Sequence, residues 1–365
     1  MKKLFRVLAL LLIASHAQAA TLTAFSCNLQ HGQGTDLSFN FQRQIDSMAG
    51  ADIIAVQERS TTETGWNTPL SNAGLTEAVF AADPGGGDGQ ALWIKNSTIS
   101  VVQTYTHPLT NVANPTSGST TFGWDGSTDV RRSAAAAKLS VGGLQFYAVS
   151  IHFCPSRCND SSSVTTSAQR ESQIDDLKNW ISATLTGGLK ILVLGDYNFA
   201  PNQPKIGGGV VFDLLTPTYT NLWDAAVTAG TATASWGDRN SDGIPDMPVS
   251  SSTSRTHDTR IIDGGLLSIA SANTTWTLTN ANIPDVRATC PHALVAGGAL
   301  PSCSPEVDGG PGVSSEQWDI PEDFGVRPSD HNWITFTFTI VTTTSASTNR
   351  GHTHGVFKTR RGVIR

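Results

Sequence analysis

The sequence predicts an α+β fold of two packed β-sheets flanked by helices. Three observations predict it. Short apolar runs bounded by polar and turn residues recur along the chain, as buried strands do. Glycine and proline number 34 and 17 in 365 residues, too many for a helical bundle or coiled coil. Helical periodicity is confined to two stretches. With 39% hydrophobic and only 15% charged residues, the chain is also too apolar to be disordered.

Eight runs read as buried strands, at 22–27, 52–56, 91–94, 133–139, 144–151, 190–194, 261–268 and 333–341. A short helix is expected at 41–48, where Phe41, Ile45 and Met48 share a face. A longer one is expected at 166–185, with Ile174, Leu177, Trp180 and Ile181 at helical spacing and Gly187-Gly188 as its stop. The segments between are long: 83–90 is Gly-rich, 111–129 is polar, and 231–258 and 279–328 are larger insertions. Loops of that length in a compact domain are more often functional than idle. No internal repeat is visible.

The first nineteen residues read as a secretory signal. Lys2, Lys3 and Arg6 precede an apolar run too short to span a bilayer, and Ala17-Gln18-Ala19 precedes the expected cut. No other stretch is apolar enough for a transmembrane helix, and an exported chain, secreted or periplasmic, is expected. The formal charge of −6 becomes −9 once the signal is removed, which excludes a protein that grips nucleic acid by bulk positive charge. It does not exclude an enzyme that meets nucleic acid in one groove. Residues 343–365 turn to Thr, Ser and Asn and then to Arg350, Lys358, Arg360, Arg361 and Arg365, a basic tail without acids whose composition predicts disorder. His352 and His354 in it read as solvated.

Export permits disulfides. Pairing of Cys154 with Cys158 and of Cys290 with Cys303 is the simplest arrangement, though connectivity cannot be deduced from spacing. Cys27, inside a strand, is left over, and neither a CxxC pair nor a His at ligand spacing supports zinc.

Four apolar runs end or begin in polar residues of one kind. The first leads into Asn28, the second into Gln57-Glu58, a later one into Gly195-Asp196-Tyr197-Asn198, and Ser329-Asp330-His331 precedes the last. Asp196 and Asn198, two apart, face one side if the strand stays extended. If these ends converge, Asn28, Glu58, Asp196, Asn198, Asp330 and His331 form an oxygen-rich cleft of the kind that Mg2+ prefers.

In these blocks the chain resembles the endonuclease/exonuclease/phosphatase superfamily, the DNase I-like metal-dependent phosphodiesterases, over roughly residues 22–340. His152 matches the strand-end His of its nuclease branch, Asp263 the Asp of its Ile-Asp-Tyr strand, and Arg132 its phosphate-contacting Arg. The resemblance implies a four-layer α/β-sandwich of two mixed sheets, with a signal at 1–19, a catalytic domain at 20–342 carrying insertions near 231–258 and 279–328, and a tail at 343–365. It implies a Mg2+ (or Mn2+) site on Glu58, Asp330 and Asn28. It implies His331 as base or phosphate clamp held by Asp263, and His152 as acid to the leaving oxygen. Asp196 and Asn198 would orient water and phosphate, and Arg132 would grip a phosphate oxygen. Asp88 is the one carboxylate suggested as a partner for His152. Gly264-Gly265 departs from the family's aromatic after Asp263, which is expected to loosen the wall beside His331. Segments at 26–30, 50–53 and 195–201 are also similar to the catalytic subunit of cytolethal distending toxin.

A separate motif, Asp238, Asn240, Asp242 and Asp246 with Gly243 after the fifth position, reads as a structural Ca2+ loop without its distal Glu, or as a solvated turn. The leading expectation is an exported endonuclease acting on DNA, its oligomeric state undetermined. Two others stay open: phosphoester hydrolysis on a lipid head group, sphingomyelin or phosphoinositide, for which Trp66, Trp124, Trp223 and Trp236 lie in or near loops but scattered, and a non-catalytic, calcium-stabilised surface module.

Overall fold

The computed structural model describes residues 19–29, 50–61, 67–84, 87–109, 132–153, 166–198, 211–215, 218–234, 263–269, 274–283 and 334–342. Residues 1–18, the expected helix at 41–48, the loop at 111–129, the four cysteines expected to pair, the calcium-type loop at 238–246, Asp330, His331 and the tail lie outside them. So do Trp66, Trp124 and Trp236.

Two mixed sheets form the molecule. The first contains β1 (Ala19–Asn28), β2 (Ile53–Gln57), β3 (Leu75–Ala82), β4 (Gly89–Lys95), β10 (Ala232–Ala234), β12 (Thr274–Ile283) and β13 (Ile334–Thr342), in the order β10-β12-β13-β1-β2-β4-β3. The second contains β5 (Ile99–Leu109), β6 (Arg132–Val141), β7 (Leu144–His152), β8 (Ile191–Asp196), β9 (Tyr219–Asn221) and β11 (Asp263–Ser268), in the order β5-β6-β7-β8-β11-β9. The parallel pairs are β1 with β2, β7 with β8, and β10 with β12. All eight expected strands are present.

The near-continuous apolar runs follow from burial of both sheet faces. Side chains alternate across a strand, so Leu22 and Ala24 of β1 enter the core between the sheets while Phe25 and Cys27 enter a second cluster outside. In the same way Phe146 and Ala148 of β7, and Leu192 and Leu194 of β8, face the first sheet. Tyr147, Val149, Ile191 and Val193 face helix α2 (Thr166–Thr184). That helix covers the second sheet with Ile174, Leu177 and Ile181, as its periodicity predicts. A short helix α1 (Asn67–Asn72) places Leu70 against the outside of the first sheet, and α3 (Leu222–Ala229) brings Leu222, Trp223 and Ala226 to the inter-sheet core. Cys27 is a buried thiol packed in the outer cluster. No helix among the described residues is long and apolar enough to cross a membrane.

Two segments expected as insertions carry strand at their amino ends. Residues 232–234 form β10, and 279–283 complete β12, whose Trp276 and Leu278 pack on the core while alternate Thr and Asn side chains face out. Five strands, β3, β5, β9, β10 and β12, were not anticipated.

Candidate active site

Near the carboxyl ends of β1, β2, β7 and β8 the inward-facing positions change from apolar to polar. On β1, Leu22 and Ala24 give way to Ser26 and Asn28, and on β2, Ile53 and Ala55 give way to Gln57. On β7, Phe146 and Ala148 give way to Ser150 and His152, and on β8, Leu192 and Leu194 give way to Asp196. β13 runs antiparallel to β1 and begins opposite Ser26, so its amino end lies at the same edge.

Polar groups buried between two sheets must find partners or cost stability. Here they form a ladder. Ser26 Oγ donates to Gln57 Oε1 at 3.3 Å, Gln57 Nε2 donates to Ser150 Oγ at 3.1 Å, and Ser150 Oγ donates to the Val56 carbonyl at 3.0 Å. One layer nearer the edge, Asn28 Nδ2 donates to Asp196 Oδ2 at 3.0 Å, tying the two sheets together again. The parallel register sets His152 beside Asp196, and the antiparallel register sets the Asp263 backbone on the other side of Asp196. His152 Nε2 lies 3.3 Å from Asp196 Oδ2 and 3.7 Å from Glu58 Oε1. An imidazole nitrogen facing two carboxylates is the one that carries the proton. The carboxylates at His152 Nε2 are Asp196 and Glu58.

Glu58 and Asn198 are the non-glycine residues with positive φ among those described, at 53° and 52°. Left-handed backbone at such residues is uncommon and clusters at functional sites. At Asn198 it corrects an expectation. β8 stops at Asp196, so Asn198 does not share a strand face with it. The chain instead turns back: the Asn198 amide N–H donates to Asp196 Oδ1 at 2.7 Å, and its side-chain Nδ2 to the Phe153 carbonyl at 2.8 Å. At Glu58 the turn is held from both sides, by the buried Gln57 and by Arg59. The Arg59 N–H bonds the Gly89 carbonyl at 2.9 Å, and its guanidinium lies 3.1 Å from Glu77 and over the Phe80 ring.

Arg132 opens β6 at the same edge, with its side chain only 7% exposed. Its NH1 donates to Asp83 Oδ2 at 3.0 Å. Burial opposes its charge, but Asp83, Glu58 and Asp196 together outweigh that and raise its pKa. Burial pushes Asp83 up to about 7, against the pull of Arg132 and of the Ser133 N–H.

Two glycines set the spacing of these groups. A Cβ at Gly195 would strike the Ile151 carbonyl and side chain, so glycine lets β8 lie close to β7 and brings Asp196 beside His152. A Cβ at Gly264 would come within 2.7 Å of the Tyr197 ring. Tyr197, an aromatic just past the end of β8, thus packs over Gly264, and the wall beside His331 lies outside the described residues.

The structure thus brings together Asn28, Glu58, Arg132, His152, Asp196 and Asn198. The Asp263 side chain, Asp330 and His331 lie outside the described residues. Ser26, Ser150 and Asp83 were missed. Their signal was available for the two serines, each two residues before a site residue on the same strand face.

Residues 25–331 match the model of the endonuclease/exonuclease/phosphatase family. The chain belongs to that family. Its members hydrolyse phosphoester bonds, generally with a divalent metal, typically Mg2+. The fold is shared with a family protein from Bacteroides vulgatus, at 15% identity and TM-score 0.53, covering 87% of this chain and 98% of that one. It is shared too with D. rerio TDP2 complexed with a single-strand DNA product, at 13% identity and TM-score 0.50, covering 87% and 99%. A mannosyl-6-phosphatase of Bacteroides thetaiotaomicron matches at 12% identity and TM-score 0.50, covering 87% and 99%. Comparison with curated proteins returns no match.

Among the described residues no group of three or more His, Cys, Asp or Glu is placed to hold a metal ion, and the expected set also draws on Asp330. The donors present nevertheless suit a hard cation. Glu58 offers a carboxylate that is 13% exposed, and Asn28, whose amide nitrogen goes to Asp196, offers an amide oxygen.

Proposed function

We propose that this protein is an exported, divalent-metal-dependent phosphodiesterase that cleaves DNA. One observation carries the reading: His152 Nε2 lies 3.3 Å from Asp196 and 3.7 Å from Glu58 at the junction of two sheets, in a chain of a phosphoester-hydrolysing family. The N-terminal basic and apolar segment supports export.

Diester hydrolysis needs an oriented water, neutralised phosphate oxygens and a proton for the leaving oxygen. Glu58 and Asn28, with Asp330 expected beside them from the sequence, would hold a Mg2+ or Mn2+ ion, which when bound would neutralise phosphate charge. His152, its ring held through Nε2 by Asp196 and Glu58, would be the acid that gives a proton to the leaving oxygen. Asp196 fixes both Asn28 and the Asn198 turn, so one carboxylate sets the cation side and the phosphate side of the cleft. By the family resemblance of their sequence blocks, His331 would serve as base or phosphate clamp, with Asp263 as its partner. Arg132 neutralises a phosphate oxygen, kept cationic by Asp83, Glu58 and Asp196. TDP2, a protein of the same fold held with a DNA product, is a precedent for a nucleic-acid substrate, as the equally similar mannosyl-6-phosphatase is for a phosphomonoester.

A substrate panel tests it: plasmid DNA, RNA, sphingomyelin, phosphoinositide and mannose 6-phosphate in Mg2+, each with and without chelator, with Glu58→Ala as control. Metal-dependent nicking of plasmid that Glu58→Ala abolishes is the expected result. Release of phosphocholine or inorganic phosphate with inert plasmid would move the substrate to lipid or sugar phosphate.

A further inference from the structure

Asp83 follows β3 in the β3–β4 turn and touches the reaction centre only through Arg132. Its side chain is 5% exposed and accepts three hydrogen bonds, from Arg132 NH1 at 3.0 Å, from the Ser133 N–H at 2.7 Å and from Gln90 Nε2 at 2.9 Å. Gln90 is itself fully buried. The carboxylate is thus fixed by backbone and by a second side chain before Arg132 is counted. Only one guanidinium nitrogen is spent on it. Arg132 Nε is buried and has no hydrogen-bond partner, although the guanidinium lies in the field of Glu58 and Asp196.

Such a pair is expensive as mere structure. Ion pairs buried from water seldom repay their desolvation, and an orphaned Nε–H adds to the cost. Burial pushes the Asp83 carboxyl up to about 7 even with Arg132 against it. A single-point anchor makes sense if the other donors are reserved. An Arg fork binds phosphate through two adjacent N–H groups, and a carboxylate on NH1 leaves Nε for an incoming oxygen.

We propose that Asp83 is a positioning residue that aims the Arg132 guanidinium at the reaction centre and reserves its Nε–H for a non-bridging phosphate oxygen of the substrate. The inference rests on the reading of Arg132 as a phosphate ligand. It predicts that Asp83 acts on substrate binding through Arg132 and not on the chemical step.

The test is a double-mutant cycle with bis(p-nitrophenyl) phosphate as substrate in saturating Mg2+. Arg132→Ala is expected to raise KM by about tenfold or more, the loss of a charge-assisted phosphate contact. Asp83→Ala is expected to raise KM nearly as far while kcat stays within about twofold, because only aimed binding is lost. Asp83/Arg132 double replacement by Ala should be no worse than Arg132→Ala alone. Asp83→Asn, which keeps an oxygen for NH1 and is the variant to rely on if the alanine form does not fold, should fall between. An unchanged KM in both Asp83 variants, with Arg132→Ala raising it, overturns the role of Asp83 and leaves Arg132 as a phosphate ligand. An unchanged KM in Arg132→Ala overturns both. A fall in kcat with unchanged KM for the Asp83 variants also overturns the proposal.

Discussion

Glu58 sits at φ 53°, a conformation that costs a non-glycine residue roughly 1–3 kcal/mol unless its surroundings impose it. Gln57 on one side and Arg59 on the other impose it. Glu58→Gly should therefore leave thermal stability within about 1 kcal/mol of wild type or raise it, since glycine adopts this φ without strain. Metal-dependent hydrolysis should fall by at least about a hundredfold. Parallel melting curves and activity assays check the split, and a large loss of stability would show that the carboxylate is there to hold the fold. Asp83 gives a second prediction at this scale. Its pKa rises from 3.8 unfolded to about 7 folded, so its share of stability is full below about pH 4 and is lost as pH climbs through 7. Melting temperatures of wild type and Asp83→Asn, taken between pH 4 and 8, should show the wild type losing ground to the variant as pH rises. A constant difference would place the Asp83 pKa outside that window. Much at this scale was legible in sequence: Asn28, Glu58, His152 and Asp196 all stood at strand ends. Asp83 was not, because nothing in Ala-Asp-Pro-Gly says that the turn folds under a strand starting about fifty residues later.

At the scale of elements, the approach of β7 and β8 depends on Gly195. Gly195→Ala must push against the Ile151 backbone and should cost about 1–3 kcal/mol, measured by urea unfolding. It should also lower activity more than its stability loss explains, because Asp196 moves with β8 away from His152. Full activity in a destabilised variant would argue against that coupling. Strands buried on both faces were the easiest to read, since β2, β7 and β8 are almost unbroken apolar runs. β12 and β5 were passed over for the opposite reason. β12 alternates Thr with Trp and Leu and has one solvated face, and β5 is an edge strand exposed from Ser100 through Thr104, compositions that also suit a loop. The Asp196–Asn198 turn escaped because a two-residue spacing reads as one face only while the strand lasts.

Across the whole molecule, the candidate site is where two sheets are joined by polar groups instead of apolar ones. Gln57 reaches from the first sheet to Ser150 of the second, and Asn28 reaches to Asp196. Gln57→Leu should leave the buried Ser26 and Ser150 hydroxyls short of partners and destabilise by about 1–3 kcal/mol in equilibrium unfolding. A smaller cost would mean that the bridge contributes little to holding the sheets. The order of the blocks along the chain was enough to place the family, but not to show how the two sheets meet, which depends on contacts such as Asn28 to Asp196, 168 residues apart. That meeting is what the catalytic reading requires. Nicking of supercoiled plasmid in Mg2+ by wild type and His152→Ala, each with a chelator control, tests it most directly. The account predicts nicking that the chelator abolishes and that His152→Ala slows by about a hundredfold or more. Nicking that persists in chelator, or that His152→Ala leaves undiminished, would contradict it.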